Sequence, residues 1–299
     1  MSKEGQSPNN LKEHYTQVRV TSRTTMARFG LNWEETARLA HRHSMAVEIW
    51  LSSRSPQGNR FDGVGTTATS TGIEAYLLNL AHDSDFPPAT RDEEIDNEIE
   101  TVKLFFAKQG VSFIWYLSPF AKPSDMGQRL IRHGFEPEEY HVPAMVAPLS
   151  SSTEWPSVNP EVQVWQANDR ADLEAASSLR RTGFRFAEGV ALTYFEDMAG
   201  DWLRGNPARL YMARVGDDGP PLATGALIMG EGLPGVYGMV TLPASQRQGL
   251  GKAILVRILS DAAADEHELI VLTATPQAYS LYRKFGFEHI FDFTLYCLP

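Results

Sequence analysis

Apolar positions recur at helical spacing over residues 250–262, where Leu250, Ile254, Ile258 and Ala262 share one face and Leu255 and Leu259 flank it. Residues 236–242 before this helix read as a strand, and 269–274 after it form a short apolar run of strand length. A short helix follows from Ala278 and ends at Gly286. Upstream, 161–165 alternates with Val162 and Val164 inward, Asn168 caps a helix through Leu179, and 192–203 reads as a second helix. Residues 208–215 and 222–229 are strands joined by Gly216-Asp217-Asp218-Gly219-Pro220-Pro221, a hairpin signal. The C-terminal half therefore runs strand, two helices, three strands, helix, strand, helix, strand.

The N-terminal half is patterned less sharply. A strand is expected near residues 18–20, and Asn32 with Glu35 begins a helix that runs to about His43. His41 and His43, two apart on that helix, point in different directions and do not form a metal pair. Residues 55–72, rich in Gly, Ser, Thr and Asn, read as a long loop, and 75–81 as a strand. Thr90 and Glu93 form a capping box for a helix carrying Ile95, Ile99 and Val102 to about Gly110, with its acidic residues on a solvated face. A strand over 111–117, a helix over 123–133 and extended chain from Gly134-Phe135 follow. Laying Gly134-Phe135 over Gly286-Phe287 aligns strand, helix and strand in the two halves, a weak internal repeat in which Leu130 takes the place of Tyr282. Residues 150–160, Ser- and Pro-rich, read as a linker.

Composition narrows the partners. Of 299 residues, 42% are hydrophobic and 21% charged, as in soluble globular domains, and the length suits two of them. A formal charge of -10 argues against a nucleic-acid partner, whose phosphates need Lys and Arg. No apolar run approaches the ~20 residues that cross a bilayer, and residues 1–10 are polar, so a cytoplasmic protein without a membrane partner is expected. The single cysteine, Cys297, supports neither an internal disulfide nor a cysteine metal site.

Chemistry concentrates between the strand at 236–242 and the helix behind it, in Gln246-Arg247-Gln248-Gly249-Leu250-Gly251-Lys252. Two glycines at a helix start let bare backbone amides approach an anion, a phosphate cradle with Arg247 and Lys252 beside it. A Walker loop would need Ser or Thr where Ala253 follows Lys252, and a dinucleotide fingerprint would need a third glycine where Ile254 stands.

The spacing Gln-x-x-Gly-x-Gly resembles the acyl-CoA pyrophosphate motif of the GNAT superfamily of N-acetyltransferases. Ala278-Tyr279-Ser280-Leu281-Tyr282-Arg283-Lys284-Phe285-Gly286-Phe287 is similar to the last helix of those enzymes, at the usual separation from that motif. The resemblance implies an α/β (α+β) fold of two GNAT-like domains, each a mixed, mostly antiparallel central sheet flanked by helices. It implies a degenerate N-terminal domain over 1–149 that serves as scaffold and acceptor-pocket wall, and a catalytic domain over 161–299 beyond the linker.

It further implies acetyl-CoA as co-substrate, with no metal. Gln246, Arg247, Gln248, Gly249, Leu250, Gly251 and Lys252 would hold its pyrophosphate. Met239, Val240 and Thr241 would pair their backbone with the pantetheine amides, and the backbone N–H near Met239 would face the oxyanion. Tyr282 would protonate the departing thiolate. Ala278 lies in the same motif, and Thr275 stands where many relatives carry an Asn that contacts the pantetheine. Phe184, Phe186, Tyr194 and Glu196 are implied acceptor-pocket residues. An amine with a pKa near 10.4 also needs a group that takes its proton, for which Glu196, Glu231 and Tyr237 are the candidates. The expected activity is acetyl transfer to a primary amine of a small molecule. The alternatives are acetylation of a protein lysine or N-terminus, favoured by an acidic surface, and a non-catalytic acyl-CoA-binding module.

Overall fold

Helix α1, Trp33–Arg54, starts where the capping box places it: Glu35 N–H donates to Asn32 Oδ1 at 3.0 Å and Asn32 N–H to Glu35 Oε2 at 2.8 Å. It runs eleven residues beyond His43, because the first residue that stops it is Pro56, behind the cap at Ser55. The computed structural model in which this is seen describes residues 30–187, 190, 192 and 194–299, the Tyr194 side chain excepted. The strand expected near 18–20 lies outside the described residues.

The segment 55–72 is not a loop. It holds β1, Asn59–Asp62, and β2, Thr66–Ser70, a hairpin whose turn is organised from far away in sequence. The Glu98 carboxylate accepts the backbone N–H groups of Val64, Gly65 and Thr66 at 2.6, 3.0 and 2.8 Å. Strand β3, Asn79–Asp83, begins later than the apolar pattern suggests, after a turn of 3-10 helix at Tyr76–Leu78. Helix α2, Asp92–Ala107, is shifted one residue from the expected cap: Glu94, not Glu93, accepts the N–H of the residue before the helix, Arg91, at 2.9 Å. Strand β4, Ile114–Leu117, helix α3, Met126–Arg132, and the long strand β5, Glu136–Pro148, complete the first half.

In the second half, β6 is Val162–Gln166 and helix α4 is Arg170–Gly183, capped by Asp169, which accepts the Asp172 N–H at 2.9 Å. Asn168 is the same kind of residue one place early. The expected second helix is two short ones, α5, Tyr194–Asp197, and α6, Ala199–Arg204. Strands β7, Ala208–Val215, β8, Ala223–Gly230, and β9, Leu233–Thr241, lead to helix α7, Leu250–Ala264, strand β10, Leu269–Thr273, helix α8, Pro276–Lys284, and strand β11, Glu288–Cys297.

The strands form one eleven-stranded sheet in the order β1-β2-β3-β4-β11-β5-β10-β9-β8-β7-β6. Only β3 with β4 and β9 with β10 pair in parallel, each through a crossover helix, α2 and α7 respectively. The internal repeat is thus visible in topology. The halves do not merely abut: β5 lies between β10 and β11, and β11 lies between β4 and β5, so each half supplies a strand inside the other. Alternation along the strands sends Val236, Ile270 and Leu272 into the core beneath α7 and α8, and Val271, Ile114 and Phe293 into the core beneath α1. The far end of α1 joins α4 and α6 over β7 and β8, with Val47 and Trp202 both fully buried there. Helix α1 therefore spans both halves on one face, opposite α7 and α8. No helix among the described residues is long and apolar enough to cross a membrane.

Residues 161–299 produced alone would lack β5, leaving β10 and β11 with unpaired edges and apolar faces exposed. They are expected not to give a cooperative thermal transition by circular dichroism. A transition matching that of the whole chain would show that the exchanged strand is dispensable.

Candidate active site

The sheet opens where β9 and β10 part. Strands β9 and β10 pair only at Gly235 with Val271 and at Val236 with Leu272. Beyond Val236, β9 continues to Thr241 while β10 turns into α8 after Thr273, and Ala274 N–H donates to Pro143 O of β5 at 2.9 Å. The edge of β9 from Tyr237 onward therefore faces a cleft rather than a neighbouring strand.

A β-bulge lies at that edge. The β8–β9 ladder steps from Thr224–Val240 to Ala226–Tyr237, two residues on β8 against three on β9. Gly238 takes the strain with φ +55, a conformation that a side chain would disfavour, and its open face is covered by the Arg180 guanidinium of α4. The bulge resets the strand's alternation: Met239 turns towards the α7 side and Val240 towards the α4 side. Arg180, itself buried and seated over the Phe195 ring at 4.6 Å, puts a positive charge next to this backbone. Backbone N–H groups released from a ladder, beside a buried cation, suit a site where negative charge develops on a carbonyl oxygen.

At the far end of β9 lies the glycine-rich turn. Residues Pro243–Ser245 form a turn of 3-10 helix, Arg247 and Gly249 both have positive φ, +64 and +92, and Gly249 is the N-cap of α7. The first intrahelical bond of α7 runs from Ala253 N–H to Gly249 O at 2.9 Å, so the amides of Leu250, Gly251 and Lys252 precede the hydrogen-bonded ladder. Gln246, Arg247 and Gln248 are exposed around them, while Leu250 is buried and anchors the helix start in the core. Lys252 is engaged: its Nζ donates to Ser157 O at 2.6 Å. Asn159 Nδ2 likewise donates to Gln248 O at 3.2 Å, so the segment expected to be a linker lies along the rim of the cradle.

Across the cleft, Thr275 occupies the N-cap position of α8, exposed and without a side-chain capping bond, and Ala278 is half-buried one turn later. Tyr282, one further turn on, is 5% exposed, packs edge-on against Phe287 and has its phenol pushed well above its ordinary value by burial. A buried phenol of this kind holds its proton at neutral pH and is a proton donor, not a base.

The candidates for the opposite role are placed apart. Glu231 sits at the β8–β9 turn with Arg42 at 3.4 Å, eight residues or roughly 25 Å of strand from Met239. Glu196 faces Arg170 at 3.6 Å. Tyr237 borders the cleft, but its hydroxyl lies 2.9 Å from His43 Nδ1, and the other His43 nitrogen lies 3.1 Å from Leu233 O. Burial lowers the His43 pKa to about 4, so the ring is neutral, donates from Nε2 and accepts the Tyr237 proton at Nδ1. Tyr237 is therefore a donor as well. His41 turns the other way, to Asp83 at 3.2 Å. Phe184 and Phe186 stack at 5.8 Å beside α4, and the Tyr194 side chain lies outside the described residues.

One residue of this region is not among the candidates that the motifs name. Glu48 lies on the part of α1 that the pattern leaves out, enclosed by protein yet retaining accessible surface, and within electrostatic reach of Tyr237 from β9 and Tyr116 from β4. Burial raises its pKa to about 7. Its one sequence signal is a lone carboxylate inside the apolar run Met45-Ala46-Val47-Glu48-Ile49-Trp50-Leu51.

Known proteins bear on this arrangement. Residues 207–289, which include the bulge, the cradle and Tyr282, match the acetyltransferase (GNAT) domain family. No curated protein matches the chain. Among solved structures, a GCN5-related N-acetyltransferase from Kribbella flavida shares 20% identity at a TM-score of 0.63, over 88% of this chain and 95% of that one. A GCN5-related N-acetyltransferase from Sphaerobacter thermophilus shares 13% at a TM-score of 0.57, over 88% and 90%. A tandem GNAT protein from the clavulanic acid biosynthesis pathway shares 14% at a TM-score of 0.54, over 84% and 86%. The two-part topology seen here is similar to these over nearly the whole chain. Residues 207–289 are a GNAT acetyltransferase domain, set in a chain whose complete sheet has the tandem GNAT fold.

Proposed function

We propose that the protein transfers the acetyl group of acetyl-CoA to a primary amine of a small molecule. The observation that carries the reading is the continuity of three features along one path: the parted edge of β9, the bulge at Gly238, and the helix start at Gly249.

The cradle fits a pyrophosphate. The amides of Gly249, Leu250, Gly251 and Lys252 and the positive end of α7 favour an anion there, with Gln246, Arg247 and Gln248 around it. The backbone of Met239, Val240 and Thr241 offers strand-type hydrogen bonds to an extended amide chain lying in the cleft. Thr275 and Ala278 form the opposite wall. The N–H near Met239 stabilises the oxyanion, a contribution of about 3 to 4 kcal/mol for one positioned donor, and Tyr282 supplies the thiolate with its proton.

Calorimetric titration with acetyl-CoA tests this reading. Saturable binding, one per chain, is expected, followed by CoA release on addition of a primary amine. An intact, folded chain that binds no acetyl-CoA would overturn it.

A further inference from the structure

The free edge of β9 borders both faces of the sheet. Met239 of β9 and Tyr282 of α8 join the core beneath α7, while Tyr237 and Val240 join the core of α1 and α4. Tyr282 serves the first face. An amine approaching the same carbonyl from the second face meets Tyr237, whose proton is already committed to His43.

Glu48 stands over that second face. Tyr116 and Tyr237 belong to strands four places apart in the sheet, about 19 Å in a flat one. Glu48, within electrostatic reach of both, lies one turn after Ser44 and three residues after Met45, both buried where this helix packs on the sheet. Tyr140 of β5, in reach of Tyr116, belongs to the same face. Glu48 is thus a half-buried carboxylate on the same helix, five residues on, as His43, which holds the Tyr237 hydroxyl at 2.9 Å at the free edge of β9. The titratable groups within its electrostatic reach are Tyr116 from β4 and Tyr237 from β9, and among the described residues it makes no ion pair.

An enclosed carboxylate without a cation is costly unless something else neutralises it. We infer that Glu48 is the acceptor site's anion: it binds the substrate as an ammonium ion and takes its proton, making α1 of the N-terminal half part of the active centre. This rests on the acetyltransferase reading for its second step only.

The balance is complete. One ammonium proton passes to Glu48 and then to solvent. The freed nitrogen lone pair forms the C–N bond to the thioester carbonyl carbon as the C–S bond breaks. The nitrogen sheds its second proton, and the sulfur gains one from Tyr282, whose oxygen is reprotonated. The products are amide, thiol and one released proton. Burial that holds the Glu48 pKa near 7 suits this exchange, because the group is ionised when the amine arrives and still basic enough to accept.

The test uses n-hexylamine and phenethylamine as probes, titrated calorimetrically into the whole protein with CoA present. At least one is expected to bind at pH 8, and Glu48→Gln to weaken that binding at least tenfold while acetyl-CoA affinity is unchanged. In the wild type, amine affinity falls about tenfold per pH unit below pH 7, since the ammonium persists while the carboxylate is protonated. This second measurement decides the matter if the variant does not fold. Absence of binding by both probes, equal binding to Glu48→Gln, or affinity independent of pH between 8 and 5.5 would overturn the site. If acetyl-CoA binds but a probe held through Glu48 is not acetylated, the proton-acceptor role falls. If acetyl-CoA does not bind while the probes do, the transferase reading falls and the amine site stands.

Discussion

Acetyl-CoA affinity is expected to drop by at least 100-fold when Gly251 is replaced by glutamate, with the fold retained. Gly251 and Gly249 both belong to the cradle, but they differ as places to put a charge. Gly249 has φ +92, so any side chain there strains the backbone and confuses binding with folding. A Cβ at Gly251 meets nothing closer than Thr241 Oγ1 at 3.5 Å, an ordinary contact, and its φ is not positive. A carboxylate in the first turn of α7 also interacts favourably with the helix dipole, so stability is not expected to suffer.

Against a bound pyrophosphate the same charge repels. At about 5 Å and an effective dielectric near 20, one pair of unit charges costs about 3 kcal/mol, which is more than 100-fold in affinity. Gly251→Ala is the control and should bind within about threefold of wild type, since it adds only a methyl group to an open space. Calorimetry on the three proteins gives the answer. Equal affinity for the glutamate variant and wild type would place the pyrophosphate elsewhere.

Tyr282→Phe is expected to lower kcat by about 100-fold or more and leave acetyl-CoA affinity within about threefold, the range that one general acid supplies. The substitution removes a single hydroxyl. The ring remains 5.7 Å from Phe287 and in the core between α7 and α8, so the fold and the wall of the cleft persist. Because burial drives the phenol pKa upward, Tyr282 stays protonated throughout the alkaline working range, and wild-type kcat should show no fall there attributable to it. Steady-state rates and binding on the same preparations separate the outcomes. A variant with kcat unchanged would make Tyr282 a packing residue and leave the thiolate to another donor.

The two positions differ in how visible they are beforehand. Gly249 and Gly251 interrupt a strand-to-helix junction that the apolar pattern already marks, and Tyr282 lies on the apolar stripe of a short helix that Gly286 ends. Caps slipped by one place where two acceptable residues adjoin, as with Asn168 and Asp169. Larger departures have tertiary causes. Residues 59–70 carry few apolar side chains, yet form a hairpin because the Glu98 carboxylate, 32 to 34 positions away, satisfies three amides of its turn. The second half of α1 is held by contacts with the other half of the chain, including an edge-on pairing of Trp50 with Trp202 at 5.7 Å.

In the second half, the strands, the glycine-rich helix start and the short helix that carries Tyr282 were legible in the sequence alone, because each depends on residues within a few turns of one another, whereas the hairpin at 59–70 and the division of 192–203 into two helices were not. Only the tertiary structure decided that β5 and β11 are exchanged, that β9 parts from β10 after Val236 with a bulge at Gly238 beyond it, and that Glu48 is enclosed on the helix that joins the two halves. Those features depend on strand order and on approaches between residues nearly two hundred positions apart, such as His43 and Tyr237. Local periodicity carries no record of which distant strand will lie alongside, since the same alternation satisfies any neighbour that covers its apolar face.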